Sequence, residues 1–324
     1  MQHLNAPADA AWRGSAGPES SQRNGSLFVT GGSGFIGRYL LRSLASRAAE
    51  VTVLARSGAP REPDSGTSRV RWIAGDIADS GAYAAFLKSG DTVLHMAAAT
   101  GKASAADHRR INVDGTAALV RAAAAAGVAR FIFVSSIAAR FEDVRSYPYA
   151  RAKRTAEALV IRSGLPHLIV RPTIVLGAES PIWQRFRQLA AGRTIPLIGN
   201  GRTRIQPIHV RDAAAALVAV MHDDSATGVL ELGGPDVLTI AELLTRIHRL
   251  SNTGNPRFVR IPYEPLRLVL SVLEPALHKR LPVTAGQLAV FVNDSTVTPT
   301  NRIMEMWPGM MSVDEMLKDL AAHA

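Results

Sequence analysis

Cysteine is absent from this chain of 324 residues. The absence excludes a disulfide framework, a thiolate nucleophile and a cysteine-ligated zinc site, and it is compatible with a reducing cytoplasm. Continuous runs of about 18 apolar residues are also absent, which argues against a transmembrane helix. Residues 1–25 mix proline, glycine, serine and charged residues and lack the apolar segment of a signal peptide, so we expect a disordered tail there. We therefore expect a cytoplasmic location.

Aromatic residues make up only 6% of the chain, and they do not alternate with basic residues in any run. The 37 lysine and arginine residues exceed the 27 acidic residues and give a formal net charge of +10 at pH 7. A basic surface of this kind would suit phosphate groups or an anionic membrane. Because the positive residues are spread along the whole chain, we predict no nucleic-acid partner and interpret most of them as a solvated surface.

Short β-branched or apolar runs alternate with longer alanine-rich segments of helical period from Leu27 onward. This alternation is typical of repeated βαβ units, so the sequence predicts an α/β fold with a Rossmann-type, doubly wound parallel sheet. After Pro172, closely spaced glycine and proline residues mark a smaller, discontinuous C-terminal lobe. We assign residues 26–176 to the sheet domain, to which residues 205–235 return, and residues 177–204 and 236–324 to the lobe. The predicted strands are 27–30, 51–55, 70–74, 92–97, 130–136 and 167–172.

The segment "FVTGGSGFIG" places three glycines, Gly31, Gly34 and Gly37, between the first strand and the first helix. Glycines at such a turn let the backbone approach a pyrophosphate that rests on the helix N-terminus. The position of the turn at the start of a βαβ series makes this motif stronger evidence than the glycine spacing alone. We therefore predict a dinucleotide site that also includes Ser33, Phe35 and Ile36.

The end of the second strand distinguishes the two nicotinamide cofactors. Arg56 stands where an acidic residue would accept the ribose 2′-hydroxyl, so the sequence favours NADP(H) over NAD(H). The remaining cofactor contacts are expected at the ends of the later strands, where small or polar residues can pass close to a ligand. These residues are Asp76, Ile77, Ala97, Ala98, Ser135, Pro172 and Thr173. Asn112 could orient the backbone of this site or cap the helix that follows it.

Tyr149 and Lys153 lie four residues apart in "YPYARAK", so they share one face of the predicted helix. A free tyrosine has a pKa of about 10, and a nearby ammonium group lowers it, which would suit Tyr149 as the acid and base of a proton transfer. Ser136 precedes Tyr149 at the end of a strand and could hold the substrate oxygen. We predict Tyr149, Lys153 and Ser136 as catalytic residues, with Lys153 also contacting the cofactor ribose, and we predict no metal site.

In these segments the chain resembles the extended short-chain dehydrogenase/reductases, and its later segments look most like the atypical branch of the 39 kDa-type accessory subunit of respiratory complex I. The resemblance implies a doubly wound sheet that binds NAD(P), a C-terminal substrate lobe, and catalytic Ser136, Tyr149 and Lys153. The motifs that carry it are "TGGSGFIG", "GDI", "HMAA", "INVDGT", "FVSS", "YARAK", "RPTIVLG" and "PIHVRD", followed by "LIGNGRTRIQPIHVRDAA", "LELGGPDVLTIAELL" and "LPVTAGQLAVFVNDSTV".

Three functions stay open at this point. The first is an NAD(P)(H)-dependent oxidoreductase that acts on a carbonyl or secondary alcohol of a small-molecule substrate. The second is a nucleotide-sugar epimerase or dehydratase with retained NAD, although Ile137 and Ile205 stand where such enzymes usually carry a hydroxyl residue and an arginine. The third is a noncatalytic NADPH-binding scaffold or respiratory complex assembly factor.

Residues 263–282 combine an apolar helical face with basic residues. Such a segment could form a lid over the substrate cleft, or it could contact a membrane or a partner peripherally. The oligomeric state is not predictable from the sequence.

Overall fold

The computed structural model describes residues 26–44, 50–58, 70–252, 254–277, 281, 283–298 and 309–323. The tail predicted for residues 1–25 lies outside these ranges. The strands are β1 Leu27–Thr30, β2 Val51–Ala55, β3 Val70–Ala74, β4 Thr92–His95, β5 Arg130–Val134, β6 His167–Pro172, β7 Val175–Leu176, β8 Thr194–Ile198, β9 Arg204–Ile205, β10 Ile208–His209, β11 Gly228–Leu232, β12 Leu238–Thr239 and β13 Arg257–Ile261.

The helices lie mostly between these strands, as a doubly wound sheet requires. They are α1 Phe35–Leu44, α2 Ala105–Asp107, α3 Gly115–Ala126, α4 Pro148–Arg162, α5 Pro181–Ala190, α6 Val210–His222, α7 Ile240–Arg249, α8 Tyr263–Leu277 and α9 Val313–Ala322. A π-helical segment, His108–Asp114, joins α2 to α3, and a 3₁₀ segment, Gly286–Phe291, follows α8. No helix in the described ranges is long and apolar enough to cross a membrane.

Seven strands form the central sheet in the order β11-β6-β5-β4-β1-β2-β3, and every neighbouring pair is parallel. The predicted Rossmann-type sheet is therefore confirmed. The six predicted strands all belong to it, although β4 and β5 each end two residues earlier than predicted. The chain order reverses between β1 and β4, and ligands of open α/β sheets bind at the carboxyl ends of the strands at such a point.

Helices cover both faces of the sheet because its strands are apolar on both sides. On one face, Leu40 and Leu41 of α1 and Leu217 of α6 pack in one buried cluster with strand residues. On the other face, Leu119 of α3 and Val160 of α4 belong to a second buried cluster. The two layers hold the strand ends, and the loops that follow them, in fixed positions.

A third apolar cluster lies outside the central sheet. It joins α5, α7 and α9 around β8, with Trp183, Phe186, Leu243 and Met316 among its buried side chains. β8 pairs in parallel with β13, and β9 pairs in antiparallel with β12. Helix α6 packs against the central sheet, and β11 is an edge strand of it. Both lie within residues 205–235, the stretch that was predicted to return to the sheet domain. The predicted limits of the two domains stay predictions.

Candidate functional site

The glycine turn after β1 is closed by its own backbone. Gly31 has a φ of +78°, and a Cβ built there would lie 2.6 Å from the backbone nitrogen of Ala97. The amide of Gly34 donates a hydrogen bond of 3.0 Å to the carbonyl of Gly31. A Cβ on Gly37 would collide with the same carbonyl. The turn therefore requires glycine at Gly31 and Gly37, and it leaves the N-terminus of α1 free of side chains that would block a phosphate.

A cleft of about 750 Å³ opens at the carboxyl ends of the strands, above this turn. Its walls come from the β1 turn, from the ends of β2 and β3, and from the loop after β4. Val134, the last residue of β5, also lines it. The predicted cofactor residues that line the cleft are Gly31, Ser33, Gly34, Phe35, Ile36, Gly37, Arg56, Asp76, Ile77, Ala97 and Ala98. An elongated ligand with a diphosphate group fits these surroundings, since the glycine turn offers backbone amides rather than side chains.

One end of the cleft holds a carboxylate between arginines. Asp76 accepts hydrogen bonds of 2.9 Å from the amide of Ala78 and from Nη1 of Arg110. These two bonds, with a weaker contribution from Arg56, hold the pKa of Asp76 below its usual value. Arg110 also lines the cleft, and no sequence motif predicted it. Thirty-four residues separate it from Asp76, so no local pattern links the two.

Asn112 fixes the loop that passes under the cleft. Its Oδ1 accepts a hydrogen bond of 2.7 Å from the amide of Ala99, and its Nδ2 donates one of 3.0 Å to the carbonyl of the same residue. Asn112 is buried within the π-helical segment and does not cap α3. Of the two roles considered for Asn112, the structure supports orientation of the backbone. A π-helical insertion of this kind is frequent at functional sites.

The helix α4 carries the predicted catalytic pair. Pro148 begins the helix, which suits its fixed φ and its missing amide, so Tyr149 lies in the first turn and Lys153 one turn later. The hydroxyl of Ser136 lies near the Tyr149 phenol and acts to lower its pKa. Its ring contacts the His108 ring edge-on at a centroid distance of 5.7 Å. The structure therefore brings Ser136 and Tyr149 together.

Lys153 is almost fully buried, with 3% of its surface exposed. Its Nζ donates a hydrogen bond of 2.8 Å to the carbonyl of Val134 and lies 4.7 Å from the centre of the Phe133 ring. Burial lowers the pKa of Lys153 to about 7, although the nearby carboxylate of Glu157 opposes this effect. Val134 lines the cleft, whereas Lys153, Tyr149 and Ser136 are not among the residues that line it.

Burial raises the pKa of Tyr149, and the neighbouring hydroxyl of Ser136 only partly opposes that rise. The opposite direction was expected from the sequence, with the ammonium of Lys153 lowering this pKa. The structure corrects that expectation because the ammonium donates to the carbonyl of Val134 rather than pairing with the phenol. The lost hydration of the phenolate is therefore not compensated by a neighbouring positive charge.

Glu157, four residues beyond Lys153, is the centre of a buried polar network. Its carboxylate accepts hydrogen bonds from Oγ of Ser135 at 2.5 Å and from Nε and Nη2 of Arg171 at 2.9 and 2.6 Å. Nη1 of Arg171 also lies 3.8 Å from the carboxylate of Glu231. The side chain of Ser135 therefore points to this network rather than to the cleft. No local spacing in the sequence indicates this network, because Ser135 and Arg171 lie 22 and 14 residues from Glu157 in the chain.

Pro172 and Thr173, predicted near the nicotinamide, are buried at the end of β6 and are not among the residues that line the cleft. Thr173 uses its hydroxyl to donate a hydrogen bond of 2.5 Å to the carbonyl of Gln206, and its amide donates to the carbonyl of Leu232. Their cofactor role stays a prediction. In the part of the chain that the structure describes, no three His, Asp or Glu side chains are grouped so that they could hold a metal ion.

Comparisons with known proteins bear on the family and the fold of the chain. A profile of the "NAD dependent epimerase/dehydratase family" matches residues 27–233. The chain is 33% identical over 245 residues to the ceramide reductase of Caulobacter vibrioides (strain NA1000 / CB15N), a match that covers 75% of each protein. It is 30% identical over 274 residues to the mitochondrial NADH dehydrogenase (ubiquinone) 1 alpha subcomplex subunit 9 of Arabidopsis thaliana, which covers 81% of this chain and 66% of that protein.

Among solved structures, MoeE5 in complex with UDP-glucuronic acid and NAD has a TM-score of 0.69 and 22% identity, over 92% of this chain and 98% of that chain. At this level of identity the likeness establishes the fold and no more. The motif resemblance predicted from the sequence is confirmed by the profile and by both relatives.

Proposed function

Since the chain belongs to the NAD dependent epimerase/dehydratase family, we propose that it is a nicotinamide-dependent reductase that converts a ketone to a secondary alcohol at Ser136, Tyr149 and Lys153. The observation that carries the proposal is the grouping of the Ser136 hydroxyl with the Tyr149 phenol, with Lys153 buried one helical turn away. A bound nicotinamide cofactor would supply the hydride to the carbonyl carbon.

The chain's own residues would handle the substrate oxygen. Tyr149 Oη gives its proton to that oxygen as the alcohol forms, and Ser136 Oγ donates a hydrogen bond that holds the oxygen in place. The raised pKa of Tyr149 keeps the phenol protonated at neutral pH, which is the form that reduction needs. Lys153 donates to the carbonyl of Val134, so its ammonium would offset the charge of the phenolate that remains only after giving up that hydrogen bond.

The two arginines beside Asp76 support NADP(H) as the preferred cofactor. Arg56 follows β2, where a 2′-phosphate would lie, and Arg110 lines the same end of the cleft. Each charge-assisted hydrogen bond to a phosphate contributes about 1.5–3 kcal/mol, so loss of one predicts about a tenfold or larger loss of affinity. Arg56→Ala should therefore weaken NADPH binding and leave NADH binding unchanged. Arg109→Ala, an exposed arginine outside the cleft, is the matched control.

Titration calorimetry with NADPH and NADH measures this preference directly. Equal affinity of the unmodified protein for both cofactors would remove the argument from Arg56. A clear preference for NADH would do so as well.

For the substrate, we propose the ketone form of a ceramide-type, long-chain lipid. Support comes from the relative named ceramide reductase, which is 33% identical over 75% of its length. The test is NADPH oxidation with a detergent-dispersed 3-oxo ceramide. Tyr149→Phe should lower kcat by about 10²–10⁴-fold and leave the Kd for NADPH unchanged, since the lost hydroxyl serves only proton transfer. Tyr263→Phe, on α8, is the matched control, and equal turnover by Tyr149→Phe would refute the proposed role.

A noncatalytic scaffold is the second candidate, and the relative named as an NADH dehydrogenase subunit favours it. Tyr149→Phe separates the two functions, because a cellular phenotype rescued by this variant would require no proton transfer. The nucleotide-sugar alternative is weaker. Ile137 and Ile205 are buried apolar residues, and neither can supply the hydroxyl or guanidinium that such an enzyme usually carries there.

A further inference from the structure

Glu231, on the edge strand β11, is a buried carboxylate with partners from three other parts of the chain. The residue is 7% exposed. Its Oε2 accepts hydrogen bonds of 3.1 Å from Nη1 of Arg140 and of 2.8 Å from the amide of Thr298, and its Oε1 lies 3.8 Å from Nη1 of Arg171. A carboxylate leaves water at a high cost unless such groups replace its hydration. The partners therefore fix the position of Glu231, and Glu231 fixes theirs.

Arg140 connects Glu231 to Ser136. It is the last residue of a 3₁₀ segment, Ile137–Arg140, and Ser136 caps the start of that segment. The Oγ of Ser136 accepts a hydrogen bond of 3.2 Å from the amide of Ala138. The orientation of the Ser136 hydroxyl therefore depends on this segment, and the ion pair of Arg140 with Glu231 holds the far end of it.

Arg171, on β6, connects Glu231 to the other side of Ser136. Its Nε and Nη2 donate hydrogen bonds of 2.9 and 2.6 Å to the carboxylate of Glu157 on α4. The same carboxylate accepts a hydrogen bond of 2.5 Å from the hydroxyl of Ser135. The chain is therefore held just before Ser136 by one carboxylate and just after it by the other, and the guanidinium of Arg171 bridges the two.

The four charged side chains balance one another, and we call Arg140, Arg171, Glu157 and Glu231 the Glu231 network. The side chains of the two carboxylates are 5% and 7% exposed, and those of the two arginines are 20% and 35% exposed. Hydrogen bonds between charges are stronger when buried, whereas loss of one partner leaves a buried charge without compensation. The network therefore favours one relative position of β6, β11, α4 and the segment after Ser136.

The network also reaches the lobe predicted from the sequence. Nη2 of Arg140 donates a hydrogen bond of 2.7 Å to the carbonyl of Thr296, next to the contact of Thr298 with Glu231. Both threonines lie within residues 236–324, which were assigned to that lobe. The lid or peripheral contact predicted for residues 263–282 of the same lobe stays a prediction, and residues 278–280 and 282 lie outside the described ranges.

We propose that Glu231 is a positioning residue of the candidate site, which through Arg140 and Arg171 fixes the segment that carries Ser136 against the helix that carries Lys153. Glu231 does not line the cleft, so it acts through these neighbours. Its effect on turnover rests on the proposed function, whereas its effect on the titration of Lys153 does not.

Glu231→Gln keeps the size of the side chain and removes its charge. In the NADPH oxidation assay this variant should lower kcat about tenfold, because a small displacement of a catalytic group is enough for such a loss. The loss should be smaller than that of Tyr149→Phe, since Arg154 of α4 still donates a hydrogen bond of 2.8 Å to the carbonyl of Ala139. The Kd for NADPH should stay unchanged. Glu231→Asp, which keeps the charge, should recover part of kcat.

Arg140→Met is the second variant, and it releases the same segment from its other partner. Its loss of kcat should match that of Glu231→Gln. The double variant Arg140→Met/Glu231→Gln should lose no more than either change alone, because the two side chains act through one contact. Losses that multiply would show that the two residues act independently and would overturn the proposal.

Asp212→Asn is the matched control. Asp212 is a buried carboxylate, 6% exposed, and its Oδ2 accepts a hydrogen bond of 2.9 Å from the amide of Met311. It lies on α6 and does not line the cleft. This variant should lower the midpoint of urea unfolding, as Glu231→Gln does, and leave kcat unchanged. An equal loss of kcat in Asp212→Asn would reduce the role of Glu231 to general stability.

The titration of Lys153 is a readout that needs no substrate. The chain has five lysines, so NMR of protein labelled with ¹³C at lysine Cε can follow each of them, with Lys153→Met for assignment. Glu157 raises the pKa of Lys153 against the effect of burial, and His95 nearby is neutral at pH 7. Glu231→Gln leaves Arg171 with less negative charge around it, so Lys153 should titrate at a lower pH. The shift should be smaller than in Glu157→Gln, and Asp212→Asn should show none.

The two readouts separate this proposal from the proposed function. Turnover by the unmodified protein with an unchanged kcat in Glu231→Gln would refute only the positioning role. Absence of turnover by the unmodified protein would refute the reductase, and the titration of Lys153 would still decide the role of Glu231. A titration that does not shift in a folded Glu231→Gln variant would overturn the proposal.

Discussion

The glycine turn gives the sharpest test of the site, through Gly31→Ala. Two costs add at this position. A residue with a Cβ loses about 1–2 kcal/mol at a φ of +78°. The new Cβ would also lie 2.6 Å from the backbone nitrogen of Ala97 and 2.7 Å from the carbonyl carbon of Met96. Forced packing of this kind costs about 1–3 kcal/mol, so the free energy of unfolding should fall by about 2–5 kcal/mol.

The clash cannot be relieved by a small local movement. Thr30, next to Gly31, pairs with His95 in the parallel ladder between β1 and β4, and its carbonyl accepts a hydrogen bond of 3.0 Å from the amide of Met96. Moving Ala97 away would therefore separate two central strands. Gly90→Ala isolates the first cost, because Gly90 has a φ of +86° and nothing within 4 Å of a built Cβ. This control should lose only about 1–2 kcal/mol.

Urea unfolding at matched conditions measures both variants, and the change in midpoint gives the change in free energy. Gly34→Ala is a third variant with a different expectation. A Cβ on Gly34 meets only the carbonyl of Gly31, at 3.1 Å, so its stability should fall less than that of Gly31→Ala while its affinity for NADPH falls through blocked phosphate approach. Equal destabilisation by Gly31→Ala and Gly90→Ala would refute the packing argument.

Two further predictions concern buried charge. Glu157→Gln removes a negative charge near Lys153, so it should lower the pKa of Lys153 further below about 7 and shift the pH profile of kcat/KM to lower pH. It should also weaken the pairing of Arg171, so urea unfolding should show a loss of about 3 kcal/mol in the free energy of unfolding. An unshifted pH profile would contradict the first expectation. His95 is buried and its pKa is lowered to about 3, so the unfolded chain binds the extra proton and stability falls as pH drops from about 6.5 towards 3. The difference in free energy of unfolding between the unmodified protein and His95→Gln should therefore become smaller as the pH falls. A difference in urea unfolding that does not change with pH would contradict this prediction.

The fold followed from local patterns for a physical reason. Each central strand is apolar on both faces, so short runs such as 27–30 and 51–55 are recognisable without knowledge of their partners. The ends of β4 and β5 were less predictable. Residues 96 and 97 continue the apolar pattern, but their amides donate to the carbonyl and hydroxyl of Thr30 as the chain leaves the sheet. The end of β4 therefore depends on its pairing with β1, 65 residues earlier in the chain, and a local sequence pattern does not contain that pairing.

The parts of the candidate site that were predictable from the sequence are those whose residues lie close together in the chain. The glycine turn and the Tyr149–Lys153 spacing are both local, and the structure places the glycine turn at the cleft and the Tyr149–Lys153 pair on the first turns of α4. Contacts between elements were not predictable in the same way. Arg110, in the π-helical segment, donates to Asp76 at a separation of 34 residues, and the hydroxyl of Ser135 donates to Glu157 at a separation of 22 residues. These contacts depend on how the elements pack in three dimensions, and a local sequence pattern does not contain that information.

The direction of the Tyr149 pKa bears on which reaction the site would begin. An epimerase or dehydratase must first oxidise its substrate, and that step needs a phenolate to accept the proton of the alcohol. A reductase begins with a protonated phenol. Burial raises the pKa of Tyr149, and Lys153 donates to the carbonyl of Val134 instead of to the phenol. The protonated form is therefore the stable one in this site, and this balance supports the reductive direction over a cycle that starts with oxidation.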